Sequence, residues 1–529
     1  MEKIMTFNDF GFSGEIIKAI NKKGFEEPTQ IQSLTIPAML EGDKNIIVQA
    51  QTGTGKTAAF GLPIIEMIDS HVKSIQAIIL VPTRELAIQV SEEINSLKGN
   101  KKLVIMPIYG GQSIDQQLRR LKKGVQIVVG TPGRLIDHLK RKTLILNQVE
   151  YLILDEADEM LNMGFIQDIE YIMKYTNETK RTLLFSATIP NKIKKLAKQY
   201  MTGYLFLTLK NKQVATDLTE QIYFEVKSSD KFEALCRIID IENEFYSLIF
   251  CRTKRDVDMV ATHLKDRGYD ADAIHGDIAQ NQRERILKQF KKQKITILVA
   301  TDVAARGIDV DNLTHVLNYS LPQDPEAYVH RIGRTGRAGN KGTAITFITP
   351  SEFKKLMYIK RITKTDMKKS KLPNVTEILR AKKQKIDDDL SEKLTKEADT
   401  KFYNWAKQLL EGNNPTKLVS ALLDYSFAEE LDHKSYGKIK DFKRNETQID
   451  QDGTTRLFIA LGKKDKINKR SLVELILSKV AINPSEIRDI AIMDKFAFCT
   501  VPFTYAEKIV AGFKERGKKP LIAHAKNSR

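Results

Sequence analysis

Short apolar runs alternate with longer segments of helical periodicity from the start of the chain to about residue 363. The runs of the first half are 46–48, 77–81, 103–107, 125–129, 151–155 and 182–186, and those of the second half are 247–251, 272–275, 296–300, 315–319 and 343–348. This alternation predicts parallel sheets with helices on both faces and with ligand loops at the carboxyl ends of the strands. The pattern therefore favours the α/β class, with two parallel-sheet domains in tandem.

The pattern changes after residue 363. A Lys-rich connector leads to a helical stretch at 374–431, a polar stretch covers 433–453, and the last 76 residues read as βαββαβ. Because two or three helices form little core of their own, we expect the helical stretch to pack on the second domain, on another subunit, or on both. We expect Trp405, the one tryptophan, to be a packing anchor there. The predicted domains are 1–209, 210–363, 364–432 (helical extension), 433–453 (linker) and 454–529 (small α+β domain).

Composition narrows the class of protein. The formal net charge of +18 favours a polyanionic partner, nucleic acid before membrane. The three cysteines have neither zinc nor CxxC spacing, and no apolar run approaches the length of a membrane span. The first residues lack the apolar core of a signal peptide. We therefore expect a soluble cytoplasmic protein without a membrane partner.

Residues 50–57, AQTGTGKT, follow the first apolar run and precede a helical segment at 58–68. Gly53 and Gly55 permit backbone conformations that let successive N–H groups point at one phosphate. Lys56 would then reach the β- and γ-phosphates of a nucleotide, and the Thr57 hydroxyl would bind Mg²⁺. By itself the motif also fits a glycine-rich turn, and Ala50 stands where such loops usually have glycine.

Two further features support a nucleotide site. Asp155 and Glu156 end a mostly apolar run, and two buried carboxylates at a strand end need a cation or a partner. Asp155 would hold Mg²⁺ through its water shell, and Glu156 would orient and deprotonate the attacking water. Upstream, Phe25 could stack on a purine and the Gln32 amide could pair with an adenine edge, although a packing Phe and an exposed Gln fit the same residues.

The segments GFEEPTQIQ, AQTGTGKT, PTRELA, TPGR, DEAD and SAT follow in this order between residues 24 and 188. The set resembles the first RecA-like domain of a DEAD-box ATP-dependent RNA helicase. The resemblance implies that ATP contacts Phe25, Gln32, Ala50, Gln51, Thr52, Gly53, Thr54, Gly55, Lys56 and Thr57. It implies that Asp158, Ser186 and Thr188 couple the ATP and RNA sites. It also implies RNA contacts at Pro82, Thr83, Arg84, Gly110, Gly111, Thr131, Gly133 and Arg134.

The second half has no phosphate loop but has three arginines, Arg331, Arg334 and Arg337, at a spacing of three. They could form surface salt bridges or neutralise a triphosphate held elsewhere. The half resembles the second RecA-like domain of the same family. The resemblance makes Arg334 and Arg337 arginine fingers, places Gly307 and Asp309 on ATP with Asp309 at the ribose, and lets His330 and Arg331 couple the sites. It also implies RNA contacts at Thr253, Gly276, Arg283, Thr301 and Asp302.

The last domain has 16 basic and 7 acidic residues between 456 and 529, a net charge of +9. Phe496 and Phe498 fall on one face of an alternating strand and could stack bases as in an RRM, whereas Lys463 and Lys464 follow the first strand. The domain resembles the RNA-binding domain of bacterial helicases that act on 23S ribosomal RNA. A basic domain that does not read bases is the alternative.

The helical extension resembles the dimerisation region of bacterial cold-shock-type members, which favours a homodimer through 374–431 over a monomer. The sequence thus predicts an RNA-dependent ATPase and helicase that unwinds short duplexes locally. Ribosome assembly, cold adaptation and RNA decay are its expected settings, with proteins of those processes as candidate partners. An ATP-dependent RNA clamp or scaffold with little strand separation is the alternative, and a DNA helicase is a weaker one.

Overall fold

The structure is a computed structural model, which describes residues 5–51, 53–209, 219–308, 310, 312–336, 340–395, 400–437, 439, 454–513 and 521–525. It contains two seven-stranded sheets and one four-stranded sheet. The first sheet, with its helices, lies in a compact unit of residues 1–219, 253–313 and 333–342, and the four-stranded sheet lies in a second unit of 220–252, 314–332 and 343–529.

The first sheet has the strand order β3-β4-β2-β5-β6-β1-β7, and every pair of neighbours is parallel. Its strands are β1 (Ile46–Gln49), β2 (Ala77–Leu80), β3 (Ile105–Ile108), β4 (Ile127–Gly130), β5 (Tyr151–Leu154), β6 (Arg181–Ser186) and β7 (Leu205–Thr208). The helices are α1 (Gly14–Lys22), α2 (Gln30–Leu40), α3 (Lys56–Met67), α4 (Arg84–Leu97), α5 (Ile114–Lys122), α6 (Pro132–Lys140), α7 (Ala157–Asn162), α8 (Ile166–Met173) and α9 (Asn191–Tyr200).

Helices cover both faces of this sheet, as the near-continuous apolar strands require. Ile46 and Val48 of β1 belong to the core shared with α2, α3 and α4, whereas Ile47 faces the core shared with α6 to α9. The predicted parallel sheet is therefore confirmed. The strand ends differ by up to two residues: β3 and β4 begin at Ile105 and Ile127, later than predicted.

The second sheet has the order β10-β11-β9-β12-β13-β8-β14. Its strands are β8 (Thr219–Glu225), β9 (Ser247–Cys251), β10 (Ala271–Ile274), β11 (Ile297–Thr301), β12 (His315–Asn318), β13 (Gly342–Ile348) and β14 (Lys368–Lys369). The helices between them are α10 (Lys231–Ile241), α11 (Lys254–Asp266), α12 (Gln280–Lys291), α13 (Asp302–Ala305), α14 (Pro325–Ile332) and α15 (Phe353–Thr363). The Lys-rich connector after residue 363 contains β14, which pairs in parallel with β8.

The helical extension consists of α16 (Val375–Thr395), α17 (Thr400–Leu410) and α18 (Pro415–Phe427). Ile378 and Leu379 of α16 are buried with Tyr436, whose hydroxyl donates to Asp240 of α10 at 2.5 Å. Tyr436 falls in the predicted linker, so the chain is packed there, while residues 438 and 440–453 of that linker lie outside the described part. Trp405 is 58 % exposed in the single chain, and its role as a packing anchor stays a prediction.

The C-terminal domain has the predicted βαββαβ order. Its elements are β15 (Thr454–Ile459), α19 (Lys469–Leu477), β16 (Arg488–Ile492), β17 (Ala497–Pro502), α20 (Phe503–Gly512) and β18 (Ile522–His524). The strands form an antiparallel sheet of order β16-β17-β15-β18. Ala497, Cys499 and Val501 of β17 are buried in the core with both helices, so their neighbours Phe496 and Phe498 project from the other face.

Candidate functional site

The predicted phosphate loop joins the carboxyl end of β1 to α3. Gly53 and Gly55 have φ values of 80° and 83°, which residues with a side chain rarely adopt, and Gly55 caps α3. Lys56 is 7 % exposed, and its Nζ donates to the carbonyl of Ala50 at 3.2 Å. The loop therefore aims a buried ammonium group and the amino end of a helix at one point, an arrangement that suits phosphates. Thr52 lies outside the described residues.

The predicted purine contacts lie beside this loop. Gln32 is buried, its Oε1 accepts from the Thr29 N–H at 2.8 Å, and its Nε2 donates to the Gly55 carbonyl at 3.1 Å. The Thr29 hydroxyl donates to the Thr54 carbonyl at 2.9 Å, so the start of α2 is tied to the loop. Phe25 stacks on Phe7 with ring centroids 6.3 Å apart. Gln32 thus positions the loop, and its adenine contact stays a prediction.

Asp155 and Glu156 follow β5, in the position that the sequence predicts. Asp155 is 3 % exposed, and burial raises its pKa to about 6 despite the opposing charge of Lys56. Glu156 has φ 49°, its N–H donates to Asp155 Oδ1 at 3.0 Å, and its buried Oε2 has no hydrogen-bond partner among the described residues. Two buried carboxyl groups, one with an unsatisfied oxygen, fit a site that receives a cation and a water.

The three residues predicted to couple the sites contact one another directly. Asp158 Oδ2 accepts from the N–H and the hydroxyl of Thr188 at 2.8 and 2.9 Å. The Ser186 hydroxyl donates to the Thr188 carbonyl at 2.6 Å and accepts from the Asp158 N–H at 3.3 Å. These bonds join the end of β6 to the helix that follows Glu156, and the coupling role of the three residues stays a prediction.

The phosphate loop and the two carboxyl groups that follow β5 line one cavity of 690 Å³. Its lining includes Phe25, Gln32, Gly53, Gly55, Lys56, Thr57, Asp155, Glu156, Gly307 and Arg334. Arg334 is 9 % exposed and its Nη1 donates to the Ile308 carbonyl at 3.0 Å. Gly307 has φ 70° and lies against the Thr83 hydroxyl, which leaves no room for a Cβ atom. The structure therefore brings residues of both halves of the sequence to one cavity.

Other predicted ATP residues are placed less directly. Gln51 and Thr54 lie in the loop, where the Thr54 hydroxyl donates to the Gln51 carbonyl at 2.8 Å. Ala50 is buried at the end of β1. His330 is half-buried in α14, whereas Asp309 and Arg337 lie outside the described residues. Arg331 is buried and donates to Asn318 Oδ1 and the Ser320 carbonyl, each at 2.8 Å, so it stabilises its own domain.

Four of the predicted RNA-binding residues are threonines that cap helices. Thr83, Thr131, Thr253 and Thr301 precede α4, α6, α11 and α13. The hydroxyls of three of them accept from the backbone N–H three residues on: Thr83 at 3.2 Å, Thr253 at 3.1 Å and Thr301 at 3.4 Å. The two longer helices that are capped in this way, α4 and α11, present their amino ends at the ends of strands, where they suit an anion.

The remaining predicted RNA residues of the core surround these caps. Arg84 lies against Gly110 and Gly111 and donates to Gln280 Oε1 at 3.3 Å. Arg134 donates to the Gln112 carbonyl at 3.2 Å and to Gln117 Oε1 at 3.1 Å. Gly276 lies beside Lys254, and the others are buried Pro82, exposed Gly133 and half-buried Asp302.

Two ion pairs involve residues that the sequence did not single out, Glu85 and Glu159. Arg283, predicted to bind RNA, is 2.8 Å from Glu85, and Arg306 is 2.6 Å from Glu159. All four side chains are largely buried. No local pattern could reveal these pairs, because each joins an acid of the first half of the sequence to an arginine of the second. Lys23, Glu93 and Lys291 also line the cavity. The sequence analysis missed them because none belongs to a local motif.

In the C-terminal domain, Phe496 and Phe498 are joined by Phe458, and the three ring centroids lie 5.5–5.8 Å apart. Arg456 lies over the Phe498 ring at 4.4 Å. We call these four residues the aromatic platform. Lys463 and Lys464 are exposed in a short turn whose N–H groups donate to the carbonyls of Met493 and Asp494. The sequence analysis did not identify Arg456 as part of this group.

Among the described residues, none of the helices combines the length and apolar composition needed to cross a bilayer. Nor do three His, Cys, Asp or Glu side chains converge anywhere in that part of the chain, so a metal held only by such ligands is not indicated there. A cation at Asp155 would need oxygens of water or of a bound phosphate, as Mg²⁺ usually has.

Comparison with known proteins gives three family matches. Residues 29–196 match the DEAD/DEAH box helicase family, 230–339 the helicase conserved C-terminal domain, and 456–523 the DbpA RNA binding domain. The matches lie within the first, second and last predicted domains. The last match covers most of β15 to β18 and includes all four residues of the aromatic platform.

The relatives agree with these matches. A DEAD-box ATP-dependent RNA helicase CshA of Bacillus cereus is 49 % identical over 409 residues, which is 77 % of this chain and 78 % of that protein. CshA of Bacillus subtilis is 48 % identical over 80 % of this chain and 86 % of its own length. The structure of S. cerevisiae Dbp5 bound to RNA and ADP BeF3 is similar with a TM-score of 0.65 and 31 % identity, covering 72 % of this chain and 99 % of that one. This chain therefore belongs to the family of DEAD-box ATP-dependent RNA helicases.

Proposed function

We propose that the chain hydrolyses ATP in an RNA-dependent manner and uses this cycle to separate short RNA duplexes locally. The observation that carries the proposal is the single cavity lined by Lys56, Glu156 and Arg334. Lys56 would bind the phosphates, Glu156 would take the proton of the attacking water, and Arg334 would stabilise charge on the transferred phosphoryl group.

Two residues fit a Mg²⁺ ion bound with the nucleotide. The Thr57 hydroxyl lies in the first turn of α3, and Asp155 is a buried carboxyl group whose pKa the charge of Lys56 acts to lower. The raised pKa of Asp155 reflects its burial without a full counter-charge, which an added cation would supply. Such an ion would neutralise charge on the phosphates. Asp309 and Arg337, for which the family resemblance predicts ATP contacts, would complete the site.

RNA is the proposed substrate because relatives and the C-terminal family match point to it. Dbp5 is bound to RNA in the similar structure. In this chain the capping threonines, Arg84 and Arg134 would contact the sugar-phosphate backbone, which makes binding largely independent of sequence. The C-terminal domain would tether the core to structured RNA, with ribosome assembly, cold adaptation or RNA decay as the cellular setting. An RNA clamp with little strand separation is the second candidate, because the same cavity serves both.

We expect deletion of 454–529 to weaken binding to a structured RNA by about 10²-fold or more, since a tether raises the effective concentration of its partner. ATP turnover without RNA should not change, because none of the described residues that line the cavity lies within 454–529. Fluorescence anisotropy and a phosphate-release assay measure the two quantities. Unchanged RNA affinity in the shortened protein would contradict the tether.

We also propose a homodimer formed through α17 and α18. Their apolar side chains are unusually exposed: Tyr425 91 %, Phe402 67 %, Tyr403 61 %, Trp405 58 %, Val419 52 % and Leu422 49 %. So many exposed apolar side chains on two neighbouring helices favour a contact with another protein. The helices form little core with one another, which is why a second copy would complete their packing.

The doubly substituted variant Val419→Asp/Leu422→Asp should run as a monomer in light scattering, whereas the unchanged protein should show twice the chain mass. Placing two charges in an apolar interface leaves them unpaired and desolvated, which strongly opposes association. Lys417→Asp, on an exposed position of the same helix, is the matched control and should remain a dimer. A monomeric unchanged protein would end this proposal.

A further inference from the structure

Four basic side chains are exposed along the segment that ends α15 and forms β14: Arg361, Lys364, Lys368 and Lys371. We call these four residues the basic ridge. Between residues 354 and 371 the chain has eight basic residues and one acidic residue, Asp366. This segment is thus a second concentration of positive charge, separate from the C-terminal domain and from the nucleotide cavity.

Local structure explains only part of this charge. Arg361 and Lys364 lie at the carboxyl end of α15, where cations stabilise a helix. Lys368 lies in β14, the outermost strand of the second sheet, where lysines discourage pairing with another chain. Lys371 serves neither purpose. In β14, Lys369 is paired with Glu225 at 3.1 Å, and Lys368 lies 3.9 Å from Asp366 in an exposed pair that water screens. The one acid of the segment therefore offsets little of its positive charge.

The helix that carries Arg361, the first residue of the ridge, contacts the C-terminal domain through an aromatic pair. The rings of Tyr358 in α15 and Phe503 at the start of α20 have centroids 5.8 Å apart. Arg361 lies over the same Tyr358 ring at 5.8 Å. The first residue of the ridge therefore lies next to the point at which the C-terminal domain contacts the core.

The strand β17, which carries part of the aromatic platform, leads to this contact. Along β17, Phe498, Thr500 and Pro502 alternate with the buried residues, so they share the platform's face. Arg456, which stacks on Phe498, pairs across the sheet with Thr500, and Thr454 pairs with Pro502. Phe503 follows directly. The buried ring of Phe503 therefore links the strand that carries the platform to Tyr358, on whose ring the first exposed cation of the ridge lies.

We propose that the platform and the basic ridge form one RNA-binding surface. Unpaired bases stack on the platform, and the phosphates of the strand that leaves it run along the ridge. Stacking groups next to a row of cations are what single-stranded RNA requires, because bases and phosphates alternate along its chain. The preferred ligand is therefore a structured RNA with a single-stranded extension, rather than a blunt hairpin. The inference rests on the proposed RNA substrate.

The test uses the full-length protein and a variant in which Arg361, Lys364, Lys368 and Lys371 are all changed to Gln. Its matched control changes four exposed lysines of the first domain to Gln, Lys102, Lys123, Lys174 and Lys195, and so removes the same net charge. Affinity is measured over a salt series for one hairpin in three forms: blunt, with a 5′ single-stranded extension, and with a 3′ extension. RNA-stimulated ATP turnover is measured with saturating RNA.

The unchanged protein and the control should prefer one extended hairpin over the blunt one by about 10-fold or more, a preference that grows as the salt concentration falls. In the ridge variant this preference should disappear, and the salt slope for the extended RNA should fall by about 2 to 3, since each phosphate contact to a single strand contributes about 0.7. Binding of the blunt hairpin and maximal ATP turnover should be unchanged.

Equal losses in the ridge variant and the control would overturn the proposal, because they would reflect net charge alone. An unchanged preference in the ridge variant would also overturn it and would leave an acidic protein as the ligand of this surface. If the unchanged protein bound no RNA and showed no RNA-stimulated turnover, the proposed function itself would have failed. That result differs from every outcome specific to the ridge.

Discussion

Replacing Arg334 with Ala should lower RNA-stimulated ATP turnover by about 10³-fold or more, the usual effect of removing an arginine that contacts the transferred phosphoryl group. Arg334 is 9 % exposed and lines the cavity opposite Lys56 and Glu156. Without its guanidinium, the charge that develops on the phosphoryl oxygens loses a fixed, desolvated partner. Steady-state phosphate release at saturating RNA measures the loss, and binding of a fluorescent ATP analogue reports whether the ground-state complex still forms.

Arg334→Lys separates the chemical role from the structural one. Arg334 also donates to the Ile308 carbonyl, and a lysine can keep the charge while losing the planar fork. Turnover of the lysine variant should fall between that of the unchanged protein and that of the alanine variant. Arg285→Ala, at an exposed position of α12, is the control and should turn over normally. Full activity of Arg334→Ala in a folded protein would remove Arg334 from the mechanism.

Replacing Glu156 with Gln should preserve ATP binding and lower hydrolysis by about 10²- to 10⁴-fold, the range typical of a lost general base. Gln has the same shape, so the backbone at φ 49° and the bond from the Glu156 N–H to Asp155 need not change. The substitution removes the carboxylate oxygen that would accept the proton and that has no hydrogen-bond partner among the described residues. Single-turnover hydrolysis with preformed RNA complex isolates this step from product release.

Glu178→Gln is the matched control for this prediction, because Glu178 is an exposed carboxylate of the same domain that does not line the cavity. It should hydrolyse ATP at the unchanged rate. Normal turnover by Glu156→Gln, with normal RNA stimulation, would show that another group activates the water. Loss of ATP binding by this variant would instead assign Glu156 to the stability of the loop.

Much of the fold could be predicted because it depends on local patterns. Apolar runs such as 77–81 and 247–251 are long enough only for strands, and the helical segments between them impose parallel pairing. Motifs at the carboxyl ends of those runs had to meet at one edge of each sheet. This reasoning brought Lys56 and Asp155 together correctly, since their strands β1 and β5 are both neighbours of β6.

The remaining contacts depend on how distant segments pack. The side-chain amide of Gln32 could pair with an adenine edge. In the structure this amide is bonded to Thr29 and Gly55, because α2 packs directly against the phosphate loop. Trp405 was expected to be a packing anchor, yet it is 58 % exposed in the single chain, because the surface on which α17 packs is not specified by local sequence. Strand ends shifted at β3 and β4 because pairing with their neighbours, rather than apolarity alone, decides where a strand begins.

The sequence by itself determined the family, the two parallel sheets, and the chemistry of the nucleotide loop, because each is written in residues close together along the chain. Only the tertiary structure decided that Arg283 pairs with Glu85 and that Arg306 pairs with Glu159. It also decided that Tyr358, on whose ring Arg361 lies, contacts Phe503 of the C-terminal domain. The physical reason is that such contacts form between groups far apart in sequence, whose meeting depends on the packing of whole elements.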